Sequence, residues 1–259
     1  MTAPGLDWEP LMTPYSALCD DFSIYSHINF KLDQNWSRET VLHFFENLRK
    51  PFPMLMDLER KESGEHHLEE DREQGSFRWV SLDQKRLNAG FVNPPDLEAA
   101  DSFHAKLLEV APFFIDINPL DVDAVDVTFC FDFSYQGNHD EVVAEALGLS
   151  GPLEGLFNMP GSKVLGYEPA ILLTLDDACR KQCRMSVETR TTPFMVRTGQ
   201  YADLPITVYF TLRQYWSRNL SRDFSQSYQA QRAEAVELID RHIVPGVIRP
   251  LTQTIAAKQ

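Results

Sequence analysis

Hydrophobic and polar positions alternate cleanly along residues 23–32, SIYSHINFKL. Ile24, Ile28, Phe30 and Leu32, with Ser26, fall on one side, and Tyr25, His27, Asn29 and Lys31 on the other. That period of two predicts a strand with one buried face. The pattern then changes to a helical one. Val41, Leu42, Phe44, Phe45 and Leu48 form an apolar stripe; Ser37 is placed to cap it, Trp36 to staple it against Val41, and Pro51 to end it. Strands are expected at 53–60, 76–82 and 86–92, the last two joined by a turn at 83–85. The charged span 61–75 between them reads as a loop or exposed hairpin. Asn93-Pro94-Pro95 opens a helix running to Glu109, with Leu97, Ala100, Phe103, Leu107 and Leu108 at helical spacing.

A similar order follows. Residues 125–134 put Val125, Val127, Phe129, Phe131 and Phe133 on one face, and Asp126, Thr128, Cys130, Asp132 and Ser134 on the other. Asn138, with Glu141 three residues later, is a capping-box signature for a helix that Gly148 ends. A helical turn is expected from 152 to 157, and strands at 170–175, 182–190, 193–198 and 205–215. A last helix covers 224–244, its inner side marked by Phe224, Tyr228, Ala235, Leu238, Ile239 and His242. Pro245 should stop it and leave an irregular tail. The pattern predicts an α+β fold: antiparallel sheets with helices packed on one face, arranged as two similar β-α-β-β-β-α halves. The expected divisions are an arm over 1–22, a first half over 23–110 and a second over 125–245. Trp8, Leu11 and Tyr15 would pin the arm.

Composition narrows the function classes. The 259 residues are 43% hydrophobic, enough for a substantial core, and carry a formal charge of -14. Residues 1–150 hold 28 acidic and 11 basic side chains, a balance of -17. Residues 151–259 hold 10 and 13, a balance of +3. Acidity on this scale argues against duplex nucleic acid as a partner, because such binding tracks phosphates with basic charge. The N-terminal residues show neither the basic nor the apolar region of a signal peptide, and the longest apolar runs are strand-sized. A cytoplasmic protein off the membrane is the expectation. Cys19, Cys130, Cys179 and Cys183 are too few for a disulfide framework, and the C-x3-C pair lacks further zinc ligands.

Candidate chemistry is sparse. The dinucleotide, P-loop, zincin and nucleophile-elbow motifs are absent. Asp116, Asp121, Asp123, Asp126 and Asp132 cluster in sequence but lack the glycine and terminal glutamate of an EF-hand, so they read as a solvated acidic loop feeding a strand. Asp126 and Asp132 share a strand face about 20 Å apart, too far to act on one bond. His66 and His67 are adjacent and read as exposed-loop residues. The arginines of 213–222, with Tyr215 and Trp216, hint at single-strand or protein contact. The remaining candidate surface is the polar side of the strands. There Arg184, Arg190, Tyr209 and Arg213 would form a ligand-binding groove for a small anion or a partner protein. No catalytic residue, metal or cofactor is assigned. The expected role is a binding or regulatory module, compatible with a homo-oligomer. The alternative is a hydrolase for a small anionic substrate, with His27 or Asp132 moving a proton.

Overall fold

The computed structural model describes residues 14–148, 154–157, 159–216 and 223–259. The first half contributes β1 (Asp21–Phe30), α1 (Arg38–Arg49), β2 (Asp57–Arg60), β3 (His66–Glu69), β4 (Phe77–Leu82), β5 (Arg86–Val92) and α2 (Leu97–Phe114). The second contributes β6 (Val122–Ser134), α3 (His139–Leu147), the short α4 (Glu154–Phe157), β7 (Ala170–Thr174), β8 (Lys181–Glu188), α5 (Pro193–Thr198), β9 (Pro205–Tyr215), α6 (Phe224–Leu238) and α7 (Arg249–Lys258). Trp8 and Leu11 of the expected arm lie outside the described residues, whereas Tyr15 is a core residue, 2% exposed.

All nine strands join one antiparallel sheet in the order β2-β3-β4-β5-β1-β6-β9-β8-β7. The α+β reading, with antiparallel strands and helices, is therefore what the chain adopts. In each half the first strand pairs with the last, and the others run outward to an edge. The halves meet where β1 pairs with β6. This is a repeat of layout and does not by itself establish a duplication. The first half has an extra strand, and the second inserts α5 between its last two strands.

The apolar parity of the long strands faces a helical layer. Phe22, Ile24, Ile28, Phe129, Phe131, Val208 and Leu212 are all at most 1% exposed and belong to one core with Phe103 of α2 and Tyr228 of α6. A hydrogen-bonded histidine pins the layers together. His104 of α2 accepts at Nδ1 from the Ser26 hydroxyl (2.8 Å) and donates from Nε2 to the Ile24 carbonyl (3.1 Å). Burial holds its pKa down at about 3, so the neutral ring is the folded form. Nearby, Tyr228 and Arg232 of α6 both reach Asp101 of α2, at 3.2 and 2.8 Å. The Ser37 and Asn138 caps form as the sequence pattern predicts, each side chain accepting from the backbone N–H three residues on.

Four local expectations are corrected. Residues 193–198 are helix α5 rather than a strand. Thr192 caps its start, Pro193 occupies the first turn, and Gly199 closes it at φ 70°. The charged span 61–75 contains β3, which pairs with β2 as a hairpin, but β3 is not exposed: His67 and Leu68 are 8% and 1% exposed, against the exposed-loop reading of His67. The first-half helix runs on to Phe114, because Pro112 sits in its last turn and removes only one hydrogen bond. Pro245 does not end the last helix. It lies in a π-helical stretch, Ile239–Ile248, whose wider turn carries the chain into α7. Ile239, Ile248 and Leu251, each 0% exposed, keep that continuation on the core, while His242 faces solvent.

Candidate functional site

The sheet register lines up the polar parity in rows across the strands, on the face turned away from α2 and α6. One row crosses all nine: Glu59, His67, Ser81, Asn88, His27, Asp126, Arg213, Gln182 and Thr174. Every residue in it is polar. The next row carries Glu69, Trp79, Gly90, Tyr25, Thr128, Thr211, Arg184 and Leu172. A third holds Ser23, Cys130, Tyr209 and Ser186, and a fourth Asp21, Asp132, Thr207 and Glu188.

Side-chain bonds knit these rows. The Arg213 guanidinium donates to both oxygens of Asp126, from Nε at 2.8 Å and from Nη2 at 2.7 Å. That bidentate grip is the main reason the Arg213 pKa lies above its ordinary value. Asn29 donates to the same carboxylate at 3.0 Å, leaving Asp126 buried but well paired. His27 bonds through Nδ1 to Asn88 (3.0 Å), which donates onward to Ser81 (3.1 Å). Burial lowers the His27 pKa, against the opposing pull of Asp126. Towards the other end, Thr207 donates to Asp132 at 2.5 Å, while burial raises the Asp132 pKa. Arg190 is paired with Glu188 at 3.0 Å and bonded to Tyr209, whose pKa burial pushes up to about 12.

An aromatic band crosses the first-half part of this face. His67 stacks on Trp79 at 5.7 Å and 22°, and Trp79 meets Tyr25 at 5.6 Å. The indole lies flat because β5 offers Gly90 beneath it: a Cβ there would sit 2.4 Å from the ring. Glycine is required at that position by close approach rather than by backbone angle.

The candidate residues are thus on one face but not in one place. His27 and Arg213 share a row, separated by Asp126. Asp132 and Tyr209 lie six and four residues further along their strands, about 20 and 13 Å away. Arg190 stands two residues beyond the end of β8. Arg184 is exposed, between the two groups, and makes no ion pair among the described residues. Sequence reasoning put Asp126 on the polar face of the strand 125–134 but read its carboxylate as solvated with the acidic cluster, and so missed its burial and its pairing with Arg213. The signal was the shared alternation of 125–134 and 205–215, but only sheet order makes those strands neighbours. Trp79, Asn88 and Ser81 were also missed. Residues 217–222 of the arginine-rich segment lie outside the described residues. Among the described residues, no group of three or more His, Cys, Asp or Glu side chains is placed to hold a metal ion.

The other notable feature is at the end of the sheet. Among the described residues β7 is an edge strand with no neighbour on its outer side, and Ile171, Leu172 and Leu173 are 52, 63 and 55% exposed. The opposite edge, β2, is Asp-Leu-Glu-Arg. Among the described residues no helix is long and apolar enough to cross a membrane.

No protein-family model matches the chain, and no curated protein matches it. Among solved structures, an alkyldihydroxyacetonephosphate synthase aligns over 92% of this chain with 10% identity and a TM-score of 0.17, a likeness that carries no argument about fold or function. The chain spans 44% of the length of that structure.

Proposed function

We propose that the chain is a noncatalytic binding module whose recognition surface is the sheet face opposite α2 and α6, and that it takes a protein partner. The observation that supports this reading is the state of the polar rows. Two arginines of this face are already paired, Arg213 with Asp126 and Arg190 with Glu188. That pairing holds the two arginines in place, with Tyr25, Trp79, Tyr209 and Arg184 distributed over the face. Tyr, Trp and Arg are the side chains that anchor protein interfaces, and preorganisation lowers the cost of binding. A small anion would find Arg213 and Arg190 engaged. In the hydrolase alternative, His27 would work beside an Arg213 already held by Asp126, and Asp132 would stand about 20 Å from that arginine. We assign the module to the cytoplasm, a setting in which its four unbridged thiols are stable.

The test compares the wild-type chain, an Arg184→Glu/Tyr209→Ala variant and Phe113→Ser, which alters a side chain 84% exposed on the helical side. Each is immobilised and its bound proteins are quantified by mass spectrometry. A partner retained by wild type and Phe113→Ser but lost by the double variant is the expected result. A partner set indifferent to the double variant would overturn the assignment. So would turnover of p-nitrophenyl phosphate or acetate that disappears in His27→Ala or Asp132→Ala.

A further inference from the structure

We infer that the β7 edge pairs with β7 of a second copy of this chain, antiparallel about a two-fold axis at Leu172, so that two nine-stranded sheets become one. The backbone supplies the first part of the argument. Leu175 donates its N–H to the Lys181 carbonyl, and Val187 donates to the Pro169 carbonyl. In an antiparallel ladder the bonding residues alternate, so 171 and 173 direct their backbone groups to β8. Ala170, Leu172 and Thr174 direct theirs out of the sheet. That outward set is symmetric about Leu172. Turned on itself, it sets Leu172 against Leu172 of the second copy and Ala170 against Thr174, closing about six hydrogen bonds.

The side chains agree with the backbone. Residues 170–174 carry no charge, proline or bulge, the devices that ordinarily protect a sheet edge. In the two-fold register Leu172 meets Leu172 on one face, and Ile171 meets Leu173 on the other, so the exposed apolar groups cover one another. The β2 edge cannot substitute, because three of its four residues are charged and all four are exposed. Pairing therefore closes at two copies instead of propagating as a filament.

Charge selects a second copy in this orientation. β7 lies in residues 151–259, with a balance of +3, whereas residues 1–150, with -17, hold β1 to β6 and run from the middle of the sheet to its opposite edge at β2. Joining at β7 keeps the two acidic halves apart by many strand spacings of about 4.8 Å, well beyond a Debye length of about 8 Å. A head-to-tail contact would bring a charged edge onto an apolar one. The contact is small beside a standard interface of about 800 Å² per partner, so the dimer should dissociate on the order of micromolar concentrations.

Sedimentation velocity of the full chain, run from nanomolar to near-millimolar concentration, is the first test. A monomer–dimer equilibrium is expected, shifted at least about tenfold towards monomer by Leu172→Lys, with unchanged circular dichroism. Register is tested in a Cys179→Ser background, which removes the exposed thiol of the β7–β8 turn. Leu172→Cys places two thiols on Cα atoms about 5.5 Å apart, within disulfide reach, whereas Ala170→Cys places them about 14 Å apart. Oxidation should therefore cross-link the first and spare the second. A chain monomeric throughout overturns the inference, including one that instead binds phosphatidylcholine–phosphatidylglycerol vesicles through Leu172. A dimer insensitive to Leu172→Lys overturns it as well, and cross-linking at 170 in place of 172 overturns the register.

Discussion

Acid should loosen this fold, and His104 is the ring whose share can be isolated. The imidazole is 0% exposed and neutral, with both nitrogens engaged by β1, and its pKa is lowered to about 3 from an ordinary 6.5. In the unfolded chain it regains the ordinary value. The linkage then has one sign. Above about pH 6.5 neither state binds the proton and the full stability is present; below it the unfolded state takes up a proton that the folded state refuses. Stability falls by about 1.4 kcal/mol for each pH unit from there down towards pH 3. At pH 5.0 the loss is about 2 kcal/mol, and it depends little on the folded value as long as that value lies well below 5. Other groups titrate over the same range, including His27 and His139, whose pKa values burial also lowers. The measurement is therefore a difference. Urea unfolding of wild type and His104→Gln at pH 7.5 and pH 5.0 gives four free energies. Glutamine removes the titration while keeping a donor for the Ile24 carbonyl. The wild-type advantage at pH 7.5 should shrink by about 2 kcal/mol at pH 5.0. Equal losses in the two proteins would refute the reasoning, since His104 would then protonate alike in both states.

Three further substitutions probe the sheet. Arg213→Ala strands the Asp126 carboxylate, whose side chain is 5% exposed, with Asn29 as its remaining partner. A loss of about 2–3 kcal/mol in urea unfolding is expected, at the low end for buried pairs because Arg213 is partly solvated, and Asp126→Val/Arg213→Thr should recover part of it. Gly90→Ala drives a methyl into the Trp79 indole, which should cost about 1–3 kcal/mol and shift tryptophan emission as the ring leaves Tyr25 and His67. Asn138→Ala removes both the α3 cap and the 2.8 Å bond to the Val164 carbonyl. A loss of about 1–2 kcal/mol is expected, with faster hydrogen exchange around 164–167.

What the sequence made legible follows from the range of the interactions involved. Alternation is a property of each strand alone, and strands form at Asp21–Phe30, Val122–Ser134 and Pro205–Tyr215, although Leu32 falls beyond β1 at 67% exposed and the polar parity of β1 and β6 is largely buried as well. The caps at Ser37 and Asn138 are equally local. Residues 193–198 show two local signals in competition. Their apolar side chains suggested a strand, but Thr192, Pro193 and Gly199 carry the start and stop chemistry of a short helix, and that prevailed. Pro245 misled because a proline ends an ordinary helical turn, whereas apolar residues on either side hold this one against the core. Parity placed His27, Asp132, Arg184, Tyr209 and Arg213 on a common face. It carried no information on which strands are neighbours, so it gave neither the Asp126–Arg213 pair nor the distances separating the candidates.

The two edges show how sheet order converts composition into behaviour. Ala-Ile-Leu-Leu-Thr reads as a strand buried on both faces, the kind found at the centre of a sheet. The centre is instead β1 and β6, whose polar parity carries Ser23, Thr128 and Cys130, at most 6% exposed beside Tyr25 and Tyr209. The most apolar short strand thus ends up at the rim and the polar rows run through the middle. Polar groups in the middle are tolerable because they find partners, across a strand for Asp126 with Arg213 and Thr128 with Thr211, and along the strand for Cys130 with Asp132. Among the described residues, β7 has no corresponding partner for its outward backbone groups or its leucines. The sheet formed by the described residues thus leaves one uncharged edge open, and a copy of the same strand has the symmetry to complete it.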